Sequence, residues 1–363
     1  MKINSITLEN YRNIKELSVD FDDVNIIWGE NAQGKTNLLE AIYLFSGAKS
    51  FRGAKDKELV KFDCDYAKMK LDFFANGREQ TAEISIKDRK TVTLNGIKKR
   101  SSTELGDEIK TIIFSPDHLN MIKEGPNERR KFIDGALCQI KSNYRTLLKN
   151  YSRTLIQRNS LLRNAESVEA VAPMLEVWDV NLANLGAKII YQRIMYLKAI
   201  KPYLKSIFEG ISGGKEYIEL VYIGADTYTD DVNDIEQRLY NKIKSHRKID
   251  VLNHTTTKGP HRDDIEIMIN GRSVKSFGSQ GQQRSSVLAL KLAEASLLRE
   301  MTGENPIALL DDVMSELDEK RQDYILNHIK DLQVFITCCD KETVLRLKKG
   351  KTFHIANGAL SEG

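Results

Sequence analysis

Gly29-Glu30-Asn31-Ala32-Gln33-Gly34-Lys35-Thr36 decides how this chain is read. It fits the phosphate-loop pattern G-x-x-x-x-G-K-[ST]. Val24-Asn25-Ile26-Ile27-Trp28 ahead of it is a short β-rich run, and Thr36-Asn37-Leu38-Leu39-Glu40-Ala41-Ile42-Tyr43-Leu44-Phe45 behind it carries apolar residues at helical spacing. A glycine loop between a strand and a helix is the setting the motif requires, because loop N–H groups and the helix N-terminus then surround phosphate oxygens. Lys35 is expected to reach the β- and γ-phosphates, and the Thr36 hydroxyl to ligate Mg²⁺. A turn that only eased the bend would need the glycines but not Lys35-Thr36. These residues therefore predict a nucleoside triphosphatase, with Gly29 to Asn37 as its phosphate cradle.

A second motif lies near the other end. Ile307-Ala308-Leu309-Leu310-Asp311-Asp312 reads as a buried strand ending in two carboxylates. In phosphate-loop enzymes the first such carboxylate holds Mg²⁺ and a nearby group orients the attacking water, which assigns Asp311 to the metal and Asp312 to the water. A strand running into a capped helix would leave similar letters, but Asp318 of Asp318-Glu319-Lys320-Arg321 is the better cap, freeing Asp311 and Asp312 for chemistry. Between the motifs, Ser279-Gln280-Gly281-Gln282-Gln283-Arg284 is a polar glycine turn ahead of an apolar helix. This order implies an α/β ATPase head split by a large insertion.

The chain divides accordingly. Residues 1–115 are dominated by short β runs, with hairpin turns expected at Asn76-Gly77 and Asn95-Gly96. Over 116–255 helical spacing takes over. Ile133, Leu137, Ile140, Tyr144, Leu147 and Tyr151 form one apolar seam, which predicts a continuous helix from Asn127 to Asn164, on the order of 55 Å long. Residues 256–363 return to a β and α/β pattern, including an Asn270-Gly271 hairpin, and complete the head. With 363 residues, 29 % of them charged and a net charge of only +4, overall charge does not by itself point to nucleic acid. No apolar run approaches a membrane span and no leader is evident at Met1-Lys2-Ile3-Asn4, so a cytoplasmic address is expected. Cys64, Cys138, Cys338 and Cys339 lack metal or redox spacing, and no structural zinc is expected.

The phosphate loop, the Ser279 to Arg284 turn and Leu309 to Asp318 together resemble the ABC/SMC class of ATPases. Asn10-Tyr11-Arg12-Asn13, Phe114-Ser115-Pro116-Asp117, Arg129-Arg130-Lys131-Phe132-Ile133-Asp134 and Gly259-Pro260-His261-Arg262-Asp263-Asp264 narrow that likeness to the RecF family of bacterial recombination mediators. The resemblance implies an ABC/SMC-type head with an inserted helical lobe, ATP and Mg²⁺ as cofactors, and Arg12 beside the nucleotide. It also implies an ATP-bound head-to-tail homodimer, in which Ser279, Gln280, Gly281, Gln282 and Gln283 of one head cap the ATP held by Lys35 of the other. The implied role is DNA repair: binding duplex DNA near single-strand gaps and working with RecR and RecO to help RecA load, with slow, DNA-stimulated hydrolysis as the release step.

Three positions depart from the class. Ser115-Pro116-Asp117-His118 stands where a glutamine usually leads into the lobe, Cys338-Cys339 where a switch histidine often follows the last core strand, and Asp312 where transport ATPases carry glutamate. These departures suit a switch better than a rapid motor. For DNA, residues 119–165 hold ten Lys or Arg against three Asp or Glu, and Lys141, Arg145, Lys149 and Arg153 recur every fourth residue. Lys87, Arg89 and Lys90 with Lys98, Lys99 and Arg100 flank a hairpin, and Arg52 follows the phosphate-loop helix. Contacts of this kind go to phosphates and predict salt-sensitive, largely sequence-independent binding; a solvated helix face would show the same stripe. The alternative function is an ABC-type ATPase subunit that drives a membrane or protein partner without DNA.

Overall fold

The computed structural model describes residues 1–119, 121–224, 229, 231–339 and 350–362. Along the chain, β1 (Lys2–Tyr11), β2 (Ile14–Asp20) and β3 (Val24–Trp28) lead to α1 (Lys35–Leu44). Then come β4 (Ala67–Ala75), β5 (Arg78–Ile86), β6 (Lys90–Leu94), β7 (Ile97–Lys99) and β8 (Thr111–Phe114). Helices follow: α2 (Pro116–Leu119), α3 (Pro126–Ile140), α4 (Ser142–Arg163) and α5 (Val168–Ser212). After β9 (Ile218–Ile223) come α6 (Val232–Ser245) and α7 (Arg247–Leu252), then β10 (Asp264–Ile269), β11 (Arg272–Ser273), α8 (Val274–Phe277) and α9 (Gln280–Thr302). The last described elements are β12 (Ile307–Asp311), α10 (Glu319–His328), β13 (Val334–Cys338), β14 (Lys351–Ala356) and β15 (Ala359–Glu362).

Two compact units result. The first comprises Met1–Asn120, Gly210–Ser212 and Val287–Gly363; the second comprises Met121–Glu209 and Gly213–Ser286. The inserted unit thus runs past residue 255, and the Asn270-Gly271 hairpin and the start of α9 belong to it rather than to the head. Beside its helices it contains an antiparallel sheet, β11-β10-β9, as a mainly helical lobe allows.

The first unit holds two six-stranded sheets, ordered β2-β1-β4-β5-β6-β7 and β15-β14-β3-β13-β12-β8. The first is antiparallel throughout, and in β4 Ala67, Met69, Leu71, Phe73 and Ala75 are buried while the residues between them are more exposed. The second is parallel except for the β14–β15 hairpin. Its inner strand β12, Ile307-Ala308-Leu309-Leu310-Asp311, is buried along its whole length, as a parallel strand covered on both faces must be. One apolar cluster joins side chains of both sheets to Leu38, Leu39, Ala41, Ile42 and Leu44 of α1. A helix apolar on most sides belongs inside a core, and this burial fixes the phosphate loop that precedes it.

The three Asn-Gly turns form as expected. Asn76, Asn95 and Asn270 take φ between 50° and 52°, each followed by a glycine with φ from 74° to 76°, the left-handed pair a two-residue hairpin needs. Asp318 caps α10, accepting from Arg321 N at 3.0 Å. The helix expected over 127–164 is instead two: Lys141 adopts φ −126°, ψ 108° and separates α3 from α4. The apolar seam survives the break, with Ile133, Leu137, Tyr144 and Tyr151 all buried.

Candidate nucleotide site

A strand that feeds a helix through a tight loop leaves the loop's N–H groups exposed at the carboxyl edge of the sheet, where ligands of open α/β sheets bind. Here β3 delivers the phosphate loop, β12 delivers Asp311 and Asp312, and β13, between β3 and β12, delivers Thr337 to Cys339. Gly29 and Gly34 have φ of 155° and 118°, and a Cβ on Gly29 would lie 2.4 Å from the Ile355 carbonyl oxygen. Only glycine fits there. The loop is held from outside as well: Asn13 Nδ2 donates to the Gln33 carbonyl at 2.9 Å, Gly358 N donates to the same carbonyl at 3.0 Å, and Asn37 Nδ2 donates to Asn13 Oδ1 at 2.8 Å.

Lys35 is almost fully buried, 6 % exposed, and its ammonium donates to the carbonyls of Gly29 at 2.6 Å and Glu30 at 2.9 Å and to Cys339 Sγ at 3.4 Å. Its three donors are thereby oriented into the loop. Thr36 Oγ1 donates to Asp311 Oδ1 at 2.8 Å, and Thr337 Oγ1 donates to the same oxygen at 3.0 Å. Burial pushes the Asp311 carboxyl up, the two hydroxyls oppose that shift, and the neighbouring Asp312 charge adds to it. A buried carboxylate beside a threonine hydroxyl is an oxygen donor set suited to Mg²⁺, which takes one or two carboxylates plus phosphate and water.

Asp312 leaves the strand with φ 50° and its N–H donates to Thr337 Oγ1 at 2.9 Å. Its carboxylate is within 3.6 and 3.7 Å of the Cys339 thiol, which also donates to Asn31 Oδ1 at 3.0 Å. Cys339 thus stands between Lys35, Asn31 and Asp312. Ser115 and His118 instead hydrogen-bond each other at 2.8 Å, and neither lines the cleft; the side chain of Asp117 lies outside the described residues.

The cleft has a volume of about 730 Å³ and gathers Asn31, Ala32, Gly34, Lys35, Thr36, Asn37, Arg12, Arg52 and Asp312. Arg12 enters it already chelated. Its Nε and Nη2 each donate to Glu40 at 2.9 Å, its Nη1 to the Glu58 carbonyl at 3.1 Å, and Glu40 is wholly buried. These hydrogen bonds outweigh the cost of burial and hold the Glu40 carboxyl below its usual value. Arg52, expected at DNA, donates to Asn37 Oδ1 at 2.9 Å and lines the nucleotide cleft. Thr337 escaped the sequence because it reaches the site through tertiary packing rather than through a motif, and the bonds of Asn13 and Cys339 to the loop come from packing as well.

Ser279 to Gln283, expected to cap a second copy's nucleotide, stand at the start of α9. Ser279 Oγ accepts from Gln282 N at 3.2 Å while Gln282 Oε1 accepts from Ser279 N at 2.8 Å, a reciprocal cap. Gly281 therefore sits inside the first helical turn, not in a turn ahead of it. Gln282 Nε2 donates to Glu216 at 2.6 Å and Gln283 Nε2 to the Gly278 carbonyl at 3.0 Å, whereas Ser279 and Gln280 are exposed.

The basic residues separate. Lys149 and Arg153 are exposed on α4, and Arg145 is half-buried one turn before them. Lys141 lies in the break and donates to Gln192 at 2.5 Å. Lys98 and Arg100 are exposed and Lys99 half-buried, at and just beyond β7, an edge strand. Charges on a short edge also discourage strand pairing with another chain.

Residues 2–359 match the family model described as the RecF/RecN/SMC N terminal domain. The DNA replication and repair protein RecF of Clostridium acetobutylicum is 40 % identical over 367 residues, and that of Lachnoclostridium phytofermentans 37 % identical over 368; both alignments cover 100 % of each chain. A solved structure of the recombination mediator protein RecF with ATP, in the RecFOR pathway, matches with a TM-score of 0.91 at 38 % identity, covering 100 % of this chain and 97 % of that one. An Smc head bound to the C-winged helix domain of ScpA, at 16 % identity and a TM-score of 0.56, covering 99 % of this chain and 97 % of that one, shares the fold. The phosphate loop, the carboxylate strand and this full-length similarity lead to one conclusion: the chain belongs to the RecF family.

Proposed function

We propose that this chain is an ATP-dependent DNA-binding switch of recombinational repair in the cytoplasm. The observation that carries the reading is the meeting of Lys35, Thr36, Asp311 and Asp312 at one strand-end crevice, with Thr36 Oγ1 2.8 Å from Asp311 Oδ1. Lys35 binds the β- and γ-phosphates, and Thr36 and Asp311 would hold Mg²⁺. The ion, when bound, supplies charge that neutralises the phosphate oxygens. Asp312 orients the attacking water and accepts its proton as it attacks the γ-phosphate.

Ser279 and Gln280, exposed at the N-terminus of α9, cap the nucleotide of a second copy, whose anion gains from that positive helix end. ATP then closes a head-to-tail homodimer on duplex DNA near single-strand gaps, with Lys149, Arg153 and the residues around β7 on phosphates. Slow hydrolysis releases it, and RecR, RecO and RecA are the partners the family relationship supports. The test is a gel shift on gapped duplex with ATP, without nucleotide, and with Lys35→Met. An ATP-dependent shift that the variant loses supports the reading. Turnover of ATP without any DNA shift would favour the subunit that drives a protein or membrane partner.

A further inference from the structure

We propose that Phe62 is the platform on which the base of the bound nucleotide stacks, an assignment that rests on the nucleotide-site reading above. Phe62 is 88 % exposed, and it is the single aromatic side chain among the described residues lining the phosphate cleft. A lone exposed aromatic is ordinary on a protein surface. What sets this one apart is how firmly its backbone is tied to the cradle. Arg12 N donates to the Leu59 carbonyl at 2.9 Å, Lys61 N to the Asn10 carbonyl at 2.8 Å, and Tyr11 and Val60 form an antiparallel bridge. Lys61 Nζ adds a bond to the Asn13 carbonyl at 3.2 Å, and Asn13 in turn holds Gln33 of the loop and Asn37 of α1. Immediately after Phe62, Asp63 turns the chain with φ 61°.

Phe62 is therefore an exposed ring on a turn whose preceding residues are bonded to Asn10–Asn13, and through Asn13 to the phosphate loop. The groups around Lys35 and Thr36 suit a triphosphate, which has no use for a phenyl face. The remaining lining, Lys57, Glu58, Val60 and Phe62, suits a flat heterocycle with polar edges: an apolar ring for its face, a partly buried valine beside it, and two charged side chains near its rim. A nucleotide carries such a heterocycle at the end opposite its γ-phosphate. Stacking on an aromatic side chain tolerates any base and favours the larger purines.

The experiment measures equilibrium binding of ATP and of inorganic tripolyphosphate to the full chain, as wild type, Phe62→Ala and Phe62→Trp. A ring this exposed is not needed for folding. Loss of the stack is expected to weaken ATP about tenfold in Phe62→Ala and leave tripolyphosphate unchanged. Phe62→Trp should keep wild-type ATP affinity and show indole quenching with ATP but not with tripolyphosphate. Wild-type ATP affinity in Phe62→Ala overturns the assignment, even if dimerisation or DNA binding falls, because Phe62 then faces a macromolecule. Equal weakening of both ligands also overturns it, since the residue would then only shape the loop. Failure of the wild type to bind either ligand defeats the nucleotide site itself and the stacking with it.

Discussion

At the scale of the residue, the site rests on groups whose bonding partners define what substitution does. Lys35 places its donors on the Gly29 and Glu30 carbonyls and on Cys339 Sγ, so its charge is held at the mouth of the loop. Lys35→Met removes the phosphate loop's own cation, and charge-assisted hydrogen bonds contribute about 1.5–3 kcal/mol each, so ATP affinity should fall at least about tenfold. Isothermal titration checks this, and ATP-induced dimerisation retained by the variant would remove the phosphate-loop assignment. Asp312→Asn keeps the side-chain size and the left-handed backbone that asparagine tolerates, while Thr36 and Asp311 keep their mutual contact. Nucleotide binding should stay within about threefold, whereas turnover should drop roughly 10²- to 10⁴-fold, the usual contribution of a positioned base. Normal single-turnover hydrolysis would place water activation on another group.

At the scale of the element, the inserted unit is held by buried charge. Arg158 on α4 is wholly buried between Asp179 of α5 and Asp250 of α7, each at 2.7 Å, and Thr256 at 2.8 Å. Arg158→Ala would leave the buried Asp250 without its cation and Asp179 with Arg247 alone, which lies 2.7 Å away, a change expected to cost about 3–5 kcal/mol, read as a lower midpoint in urea unfolding. Asp263, ahead of β10, accepts from Tyr222 Oη at 2.5 Å, and burial pushes its carboxyl up to about 6. The unfolded chain releases that proton near the ordinary aspartate value of about 3.9, so the native form binds more protons between the two. Its contribution to stability is present at low pH and lost as pH rises through about 6. Asp263→Asn should therefore gain stability relative to wild type between about pH 4 and pH 6, by an amount on the order of 2–3 kcal/mol; a pH-independent difference would deny the shift. On α4, Lys149→Ala with Arg153→Ala should weaken DNA binding at any sequence and lower the salt slope by about two. An unchanged slope would leave the stripe as a solvated face.

At the scale of the whole molecule, the ATP site is proposed to be shared between two copies, and Ser279 tests that. Ser279→Arg sets a bulky cation at the start of α9 and leaves every phosphate-loop residue unchanged. Single-chain ATP binding should persist while ATP-dependent dimerisation, followed by light scattering, and turnover are lost. Mixing Ser279→Arg with Lys35→Met pairs an intact loop with an intact cap at one of the two sites, so activity should return at most in part. Wild-type dimerisation by Ser279→Arg would mean that ATP is not capped in trans.

What sequence alone determined was local. The phosphate loop was legible because its glycines answer to backbone geometry within eight residues, the Asn-Gly hairpins because left-handed φ selects those letters, and Asp318 because a cap bonds three residues ahead. The break at Lys141 was not legible, since the apolar seam continues through it and no proline or glycine marks it. The extent of the inserted unit escaped for a related reason: helical and strand periodicity do not say which body an element packs in. Tertiary structure alone decided the rest of the site. The parallel register of β12 and β13 sets Asp311 opposite Thr337, and the position of β13 beside β3 brings Cys339 to Lys35. Arg52 belongs to the cleft because Asn37 of α1 holds it there, and Glu40 of α1 fixes Arg12, which the family resemblance had set beside the nucleotide. Such contacts, from tens to hundreds of positions apart, depend on how strands and helices pack, which no spacing within one motif encodes.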